Sequence, residues 1–247
     1  MIEDLQKWDR IASKYDQSAQ SVLFKEGFLY PLILKFLKGV KGKKILDAGC
    51  ATGVFSRILA KKGTKVYAVD GSKEMIKIAQ KQSENGIKYQ VADLGKDLPF
   101  SDNFFDLVVS IHVLMDIQNY QKALFEFHRV LRRGGKLVFS ISHPCFTVPT
   151  LNWKRGLLGR FSVNYAYAMI DDYFKRRKIE KYLVDKKSAT PHYHRPVEDY
   201  INGLVKAGFQ VSDVQEPKMS KELAKKTHLF LADKVPLTLI IGAVAVK

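Results

Sequence analysis

Cysteine is scarce in this chain, no long apolar run occurs in it, and its first residues do not resemble a secretory leader. The 247 residues include two cysteines, Cys50 and Cys145, too few for a disulfide framework, so a reducing cytoplasmic environment is expected. No stretch of about 18 uncharged apolar residues occurs, which argues against a transmembrane helix. Residues 1–4, Met-Ile-Glu-Asp, lack the basic start of a signal peptide. We therefore expect a soluble, unprocessed protein that does not insert into a membrane.

Acidic residues are few relative to basic ones. The chain has 25 Asp and Glu against 41 Lys and Arg, a formal net charge of +16. An excess of this size raises nucleic acid or an anionic membrane surface as a partner. The excess is spread along the whole chain, however, and no RNA-recognition or zinc-binding motif accompanies it. We interpret it as a lysine-rich solvated surface, and a nucleic-acid partner is an alternative that we do not favour.

One stretch organises the rest of the sequence. Residues 45–56 read Ile-Leu-Asp-Ala-Gly-Cys-Ala-Thr-Gly-Val-Phe-Ser, so an apolar run ends in Asp47 and passes through Gly49 and Gly53 into a helical pattern. This pattern predicts a strand, a tight turn and the start of a helix. Such a turn lets a ligand approach the backbone and the N–H groups of the new helix. A pyrophosphate fingerprint needs glycine where Ala51 stands, which favours a cofactor with an ammonium group and no phosphate.

Acidic residues recur at the ends of three predicted strands. Asp47, Asp70 and Asp93 are separated by 23 residues each time. One β-α unit for each interval explains this spacing, and in a parallel sheet all three residues would face one edge. A carboxylate at position 70 can accept hydrogen bonds from both hydroxyls of a ribose. Ser72 is expected to cap the next helix, whose Met75 would lie against an adenine.

These motifs resemble a known enzyme family. Asp47-Ala-Gly49-Cys-Ala51-Thr-Gly53 resembles motif I, acidic-x-Gly-x-Gly-x-Gly, of the class I S-adenosylmethionine-dependent methyltransferases, with Ala51 in place of the second glycine. The later segments Asp93-Leu94, Val-Leu-Arg-Arg-Gly-Gly-Lys-Leu and His-Arg-Pro at 194–196 are also similar, the last to the type 11 small-molecule group.

The resemblance implies an activity and a cofactor. The chain would transfer a methyl group from S-adenosyl-L-methionine to a small, partly apolar molecule and release S-adenosyl-L-homocysteine. Two alternatives are a tRNA or rRNA methyltransferase and a non-catalytic protein that binds S-adenosylmethionine. The sequence names neither the acceptor nor its reacting atom, and a monomer and a homodimer both agree with it.

The resemblance also implies cofactor-binding residues. The segment around Tyr15 would fold over the cofactor, with Tyr15 either near its methionine end or in the packing of a helix, whereas Trp8 is expected to pack on the outside of the domain. Asp93 would accept a hydrogen bond from the adenine amine. The complete implied set is Tyr15, Asp47, Gly49, Cys50, Ala51, Gly53, Asp70, Gly71, Met75, Asp93, Leu94, Ser110 and His112.

Candidate catalytic residues follow from the reaction. Methyl transfer from a sulfonium requires no metal, and the protein mainly aligns the nucleophile and excludes water. A hydroxyl acceptor would need a base, whereas a carbon or amine acceptor needs less help. The candidates are His112, His143 and His194, with His192 and Asp116 as further choices. A structural role for His112 is an equal alternative, and a metal pair at positions 192 and 194 lacks the further ligands of a zinc site.

The order of the predicted elements gives an α/β fold. We expect a Rossmann-like, doubly wound sheet of seven strands, with the last strand antiparallel as in the family. A single methyltransferase domain, residues 1–247, would comprise an N-terminal helical cap (1–42), a cofactor-binding core (43–142), an insertion (143–196) and the C-terminal part of the sheet (197–247). The insertion between strand five and the following helix is rich in aromatic residues. It would form a substrate lid or, equally, a small satellite core.

Two element boundaries are specific enough to test. Residues 120–131 are predicted to form a helix that Arg-Arg-Gly-Gly ends before a strand at 136–142, because glycine and cations are typical of helix ends. A second helix is predicted at 220–231.

Overall fold

The protein is described from a computed structural model. Residues 2–21, 25–83, 86–147, 151–155, 166–170, 172–185, 187–227, 229 and 232–247 are described. Within these ranges the chain contains a seven-stranded sheet and two two-stranded sheets. No helix in the described ranges is long and apolar enough to cross a membrane.

The helices flank the large sheet in chain order. They are α1 (Ile2–Ser21), α2 (Tyr30–Phe36), α3 (Val54–Lys61), α4 (Lys73–Lys81), α5 (Tyr120–Val130), α6 (Val197–Lys206) and α7 (Lys221–Lys226). A π-helical turn, Lys25–Leu29, precedes α2, and a 3₁₀ turn, Leu114–Asp116, follows the fourth strand.

The strands alternate with these helices through the first half of the chain. They are β1 (Lys44–Ala48), β2 (Lys65–Asp70), β3 (Ile87–Val91), β4 (Phe105–Ile111), β5 (Leu131–Ser142), β6 (Leu151–Arg155), β7 (Ala166–Ile170), β8 (Arg177–Tyr182), β9 (Ala189–His194), β10 (Phe209–Gln215) and β11 (Thr238–Ala245).

The large sheet has the strand order β10-β11-β5-β4-β1-β2-β3. Strands β1 to β5 are parallel, and β11 pairs antiparallel with both β5 and β10. The predicted seven-stranded α/β sheet with an antiparallel last strand is thus confirmed. Strands β2 and β3 lie on one side of β1, and β4 and β5 lie on its other side, so the strand order changes direction between β1 and β4. Open α/β sheets bind ligands at such a point, outside the carboxyl ends of the strands.

Apolar side chains bury both faces of the sheet. Along β4, Val108 packs into one core cluster with residues of α5 and α6, whereas Leu107 and Val109 pack into a second cluster with residues of α2 and α3. The alternation follows the two-residue period of a strand, so a strand buried on both faces is apolar throughout. This double burial leaves the strand ends as the place where polar groups can meet a ligand.

The start of β5 differs from the prediction. Leu131 already pairs with Phe105, and the next pair joins Lys136 to Leu107. Residues 132–135 therefore bulge out between two pairs of strand residues. Arg-Arg-Gly-Gly marks a bulge inside a strand here, because a partner strand is available to pair with the residue before it.

The helix α7 is also shorter than predicted. It ends at Lys226, with Thr227 as its C-terminal cap, rather than at residue 231. Residues 228, 230 and 231 lie outside the described ranges. The described part of the insertion contains two antiparallel strand pairs, β6 with β7 and β8 with β9. Whether this region is a lid stays a prediction.

Candidate functional site

The turn after β1 depends on unusual backbone angles. Gly49 has φ +83° and Ala51 φ +47°, and the amides of Gly49 and Cys50 both donate to the carbonyl of Val69, at 2.8 and 3.0 Å. A Cβ atom at position 49 would lie 2.4 Å from the side chain of Val113. Glycine is therefore required where the turn passes the segment that follows β4.

The carboxylate of Asp70 is held by backbone amides at the end of β2. Its Oδ2 accepts from the Ala51 amide and its Oδ1 from the Ser72 amide, both at 2.9 Å. Burial raises the pKa of this carboxyl above its usual value of 3.8, although these two hydrogen bonds oppose the shift. Each oxygen keeps a second lone pair, so the group is oriented to accept hydrogen bonds from two neighbouring hydroxyls.

A cleft of about 630 Å³ lies beside this carboxylate, at the carboxyl ends of β1 to β4. Many residues that line it belong to the set predicted to bind the cofactor. These are Tyr15, Gly49, Ala51, Asp70, Gly71, Met75, Asp93, Leu94 and His112. The structure therefore brings together residues from four strand ends and two helices in one place.

The β3 end of the cleft combines a carboxylate with apolar walls. Asp93 follows β3, and its Oδ1 accepts from the Gly95 amide at 2.9 Å. Met75 and Leu94 are buried beside it. A carboxylate for hydroxyls, a second one for an exocyclic amine and two apolar surfaces are the groups that an adenosine requires, so the residues present fit this cofactor.

Other lining residues were not predicted to bind the cofactor. They are Leu5, Trp8, Ile111, Val113, Asp116 and Ile117. Trp8 faces the cleft rather than the outside of the domain, and its ring stands edge-on to that of Tyr15, with centroids 6.0 Å apart. The helical spacing of the apolar residues in α1 reveals one buried face, but not which surface that face covers.

Helix α1 is fixed over the cleft by polar contacts. Asp9 accepts hydrogen bonds from the Ser72 hydroxyl at 2.6 Å and the Glu74 amide at 3.2 Å. It thereby adds a carboxylate to the N-terminus of α4, where the helix dipole favours one. Asp16 accepts from the Gln82 side chain at 2.8 Å, so both ends of α4 hold α1 in place.

Asp47 lies behind the cleft wall rather than on it. Its side chain is buried, with 2% of the residue exposed, and accepts a 2.5 Å hydrogen bond from Ser56 Oγ. Burial raises the pKa of its carboxyl to about 7, opposed by the Ser56 hydrogen bond and assisted by the charge of Asp70. A buried acidic group beside the cleft favours a cation there.

Cys50, Gly53 and Ser110 also lie outside the lining. Burial raises the pKa of the Cys50 thiol well above its usual value, and the neighbouring carboxylates add to this effect, so the thiol is neutral. Gly53 is the N-terminal cap of α3, with φ +77°. The Ser110 hydroxyl donates to the Ala48 carbonyl at 2.9 Å. The structure gives these residues roles in shaping the wall, and their predicted contact with the cofactor is untested.

Among the histidines predicted to be catalytic, His112 lines the cleft. It follows β4 with φ +55°, its amide donates to the Ser140 carbonyl at 2.9 Å, and its Nε2 lies 3.2 Å from Thr238 Oγ1. His112 is thus tied to both β5 and β11. This arrangement agrees with either of the two roles considered, and the catalytic role stays a prediction.

The structure does not bring His143 and His194 to the cleft. His143 Nε2 lies 2.7 Å from Glu216, and burial lowers the pKa of this imidazole against the opposing effect of that carboxylate. His194 Nε2 donates to the Tyr173 carbonyl at 2.8 Å. Among the described residues, no three His, Cys, Asp or Glu side chains are grouped so that they could hold a metal ion. A catalytic role for either histidine is untested.

The described aromatic residues of the insertion do not line the cleft. Phe174 is 73% exposed, the Tyr173 hydroxyl accepts from the Val197 amide at 2.9 Å, and the Tyr193 hydroxyl donates to Asp4 at 2.7 Å. The side chains of Trp153, Phe161, Tyr165 and Tyr167 lie outside the described part of the chain.

The 3₁₀ turn after β4 presents a carboxylate at the other end of the cleft. Asp116 Oδ1 lies 3.2 Å from Nδ1 of His192, on β9. The guanidinium of Arg195 donates to the carbonyls of Leu114, Ile117 and Gln118 at 3.3, 2.7 and 2.9 Å. Both partners come from the insertion, so no local motif around position 116 could have revealed them.

The comparisons with known proteins agree with this site. The methyltransferase domain family matches residues 46–139. The malonyl-[acyl-carrier protein] O-methyltransferase of Hamiltonella defensa subsp. Acyrthosiphon pisum is 38% identical over 133 residues, which are 54% of this chain and 49% of that protein. The chain therefore spans about half the length of this curated relative. The demethylmenaquinone methyltransferase of Staphylococcus carnosus is 29% identical over 215 residues, 84% of this chain and 85% of that protein.

A solved structure is similar over most of the chain. The S-adenosylmethionine-dependent methyltransferase from Mesorhizobium loti matches with a TM-score of 0.74 and 27% identity, covering 87% of this chain and 96% of that one. This coverage extends the likeness well beyond residues 46–139, which the domain family matches. Residues 46–139 match a methyltransferase domain, and the fold of this chain is that of the S-adenosylmethionine-dependent methyltransferases, enzymes whose cofactor is S-adenosyl-L-methionine.

Proposed function

We propose that this protein transfers the methyl group of S-adenosyl-L-methionine to a small, partly apolar molecule. The observation that carries the proposal is the division of one cleft into two parts. The part after β2 and β3 holds Asp70 and Asp93, whereas the part after β4 is lined by Val113 and Ile117. The first part suits an adenosine, and the second provides apolar surface for an acceptor.

Each residue of the cofactor end has a defined task. Asp70 would accept hydrogen bonds from the ribose hydroxyls and Asp93 one from the adenine amine, while Met75 and Leu94 would flank the ring. The cofactor, when bound, supplies an electrophilic methyl group. The buried acidic groups favour its positive charge, and α1 excludes water from the reacting atoms.

The names of the relatives support a small acceptor without identifying it. One is named for a malonyl group on an acyl-carrier protein and another for demethylmenaquinone. Relatives of this chain thus differ in their acceptors, and the cleft wall formed by α1 and the turn after β4 is where such differences would arise. Neither acceptor is assigned to this chain.

Calorimetry and product analysis test the proposal. Purified protein should bind S-adenosyl-L-methionine, and mass spectrometry should detect S-adenosyl-L-homocysteine together with a methylated product when a suitable small acceptor is added. Binding of the cofactor with no transfer to any small acceptor would favour a non-catalytic binding protein.

An RNA acceptor is the second candidate, and the net charge of +16 favours it. Bulk tRNA should then bind with a steep salt dependence, because phosphate contacts release counterions, and should be methylated at low salt. Methylation of tRNA in preference to small molecules would replace the proposal.

A further inference from the structure

We propose that Asp116 contacts the methyl acceptor and takes a proton from it, so that the reacting group is a hydroxyl or an amine, and that His192 and Arg195 position Asp116 for this task. The inference rests on the proposed methyl transfer and adds the chemistry of the acceptor to it. It is independent of the cofactor-binding residues, which lie at the opposite end of the cleft.

The strand order places Asp116 at the reacting end. Neighbouring strands β4, β1, β2 and β3 end along one edge of the sheet in that order. Asp93 and Asp70 mark the ends of β3 and β2, where the adenosine is held. The methyl group must therefore lie toward β1 and β4, and Asp116 is the carboxylate that lines the cleft just beyond β4.

The charges of the cleft indicate what kind of acceptor fits. Its charged lining residues are Asp70, Asp93 and Asp116, and none of the described lining residues is Lys or Arg. A carboxylate or phosphate nucleophile would be repelled by this lining, since a partly buried like charge is poorly screened. A neutral group that carries a proton can instead donate a hydrogen bond to Asp116.

The turn that carries Asp116 is fixed from the insertion side. Arg195 is 7% exposed, and its bonds to three carbonyls of residues 114–118 hold the backbone on both sides of the carboxylate. The rings of Tyr120 and Tyr193 lie 4.4 and 5.1 Å from its guanidinium carbon. A buried cation that bonds to three carbonyls of this turn fixes one conformation of its backbone, and in that conformation Asp116 lines the cleft.

The side chain of Asp116 is oriented as well. Its side chain is 12% exposed and that of His192 2%. Burial lowers the pKa of His192, opposed by the hydrogen bond with Asp116 and assisted by the charge of Lys181. The imidazole is therefore neutral near pH 7, and its Nδ1–H donates to Oδ1. The second oxygen of Asp116 is then the one that can meet the acceptor.

The titratable groups around Asp116 come from four elements. His192 belongs to β9, Lys181 to β8 and Tyr200 to α6, and His112 lines the same cleft at the end of β4. The ammonium of Lys181 donates to Ser142 Oγ at 3.2 Å, and the charge of Asp116 raises its pKa against the larger lowering effect of burial. A cation behind Asp116 balances its charge when the carboxylate is ionised.

The proposed step moves one methyl group and one proton. The oxygen or nitrogen of the acceptor forms a bond to the methyl carbon, and the carbon–sulfur bond breaks with its electron pair remaining on sulfur. The proton of the acceptor passes to the free oxygen of Asp116 and then to water. No oxidant, reductant or metal is consumed.

Asp116→Asn is the principal test, because the amide retains the shape of the side chain but cannot take the proton. Wild type and variant would be compared with three probes, 1-naphthol, hexylamine and malonyl-N-acetylcysteamine, the last of which offers a carboxylate. We expect wild type to methylate naphthol or hexylamine and not the malonyl probe, and Asp116→Asn to lower kcat at least 100-fold. Asp97→Asn, whose carboxylate is 86% exposed, is the matched control and should behave as wild type.

The positioning residues are tested by a different signature. His192→Gln should lower kcat about tenfold and shift its pH dependence, with unchanged affinity for S-adenosyl-L-methionine by calorimetry. Arg195→Lys should lower kcat more than cofactor affinity, because lysine cannot reach three carbonyls. If Asp116→Asn fails to bind the cofactor, Asp116→Glu keeps the carboxylate and should retain both binding and measurable transfer.

The outcomes separate the two proposals. A wild-type protein that does not bind S-adenosyl-L-methionine would overturn the proposed function. Intact binding with transfer that is unaffected by Asp116→Asn, transfer to the malonyl probe, or transfer to none of the three probes would each overturn the role of Asp116 and leave the cofactor site in place.

Discussion

The two ends of the cleft are built from contacts of very different range. At the cofactor end, Asp70 bonds to Ala51 and Ser72, which are 19 and 2 residues away along the chain. At the acceptor end, Asp116 and His192 are 76 residues apart, and Arg195 bonds to a carbonyl 81 residues away. The first end is thus encoded by local spacing, whereas the second exists only after the insertion has folded onto the sheet.

The two ends of the cleft also differ in the groups that surround their buried carboxylates. Burial raises the pKa of Asp47 and Asp70 in the cofactor end, where their partners are hydroxyl and amide groups. In the acceptor end Asp116 faces His192 and Lys181. A cation that binds at the cofactor end would therefore stabilise the ionised form of its acidic groups. At the acceptor end, Asp116 already has the basic side chain of Lys181 nearby.

The largest expected effect concerns Asp47 and pH. Its pKa is about 7 in the folded protein against a usual value of 3.8, so the folded state binds more protons than the unfolded state between these values. The free energy of unfolding should therefore decrease as the pH rises from about 4 to about 7, by on the order of 1 kcal/mol per pH unit, and then level off. Urea unfolding without cofactor measures this slope.

Asp47→Asn should remove most of that slope, because an amide does not titrate and can still accept from Ser56. Asp97→Asn, at an exposed carboxylate, should leave it unchanged. An equal slope in wild type and Asp47→Asn would show that Asp47 is not the source of the pH dependence.

Asp70→Ala should weaken cofactor binding by an order of magnitude or more. A hydrogen-bonded charged group of this kind contributes about 1.5 to 3 kcal/mol, and calorimetry measures the loss directly. Asp116→Asn should leave the same affinity within about twofold, so the pair of variants tests whether the ends are separable. Equal affinity losses in both variants would remove the distinction between them.

Gly49→Ala should destabilise the protein by about 1 to 3 kcal/mol, because the new methyl group meets Val113 and alanine disfavours a positive φ. Gly134 provides a control, since it has φ +69° but a Cβ there would meet no atom of the described residues within 4 Å. Gly134→Ala should cost only the backbone strain. Adding Val113→Ala to Gly49→Ala should recover part of the loss in thermal unfolding, and no recovery would point to the backbone alone.

The smallest effect concerns the ion pairs between α1 and the β8–β9 pair of strands. Lys7 pairs with Glu180 of β8 at 2.9 Å, and Lys14 pairs with Asp185, between β8 and β9, at 2.5 Å. Exposed ion pairs of this kind contribute little to stability. A Lys7→Met, Lys14→Met double variant should release S-adenosyl-L-methionine a few times faster in stopped-flow measurements. Lys77→Met, which removes a pair within α4, is the control and should not change the rate.

The sequence was sufficient for the fold and for grouping most of the predicted cofactor-binding residues around one cleft, whereas their contact with the cofactor stays a prediction. Acidic residues at a fixed interval predict successive strand ends, and the glycine turn predicts the start of a helix. Neither prediction needs a residue that is distant in the sequence. The predicted sheet is confirmed. The Arg-Arg-Gly-Gly segment was misassigned because a bulge is defined by the partner strand. Trp8 was placed outside because helical periodicity shows which side chains share a face, and the neighbour of that face is set by the tertiary structure.

The acceptor end was harder to predict from the sequence for the same reason. Asp116 and His192 were both considered as bases, but nothing in their local sequence indicates that they meet. Their contact depends on the register of β8 and β9, in which Ile179 is opposite His192 and Lys181 is opposite Thr190. A one-residue shift in that register would turn His192 away from the sheet.

The attachment of α1 to β8 and β9 has a consequence for the order of events. Asp4, Lys7 and Lys14 tie α1 to β8 and to the segment that joins it to β9, the strand that brings His192 to Asp116. Movement of α1 away from the cleft, to exchange S-adenosyl-L-homocysteine for fresh cofactor, would therefore also separate His192 from Asp116. We expect the enzyme to bind its cofactor first and to react with the acceptor only after α1 has closed over the cleft. This order would limit hydrolysis of the cofactor between turnovers.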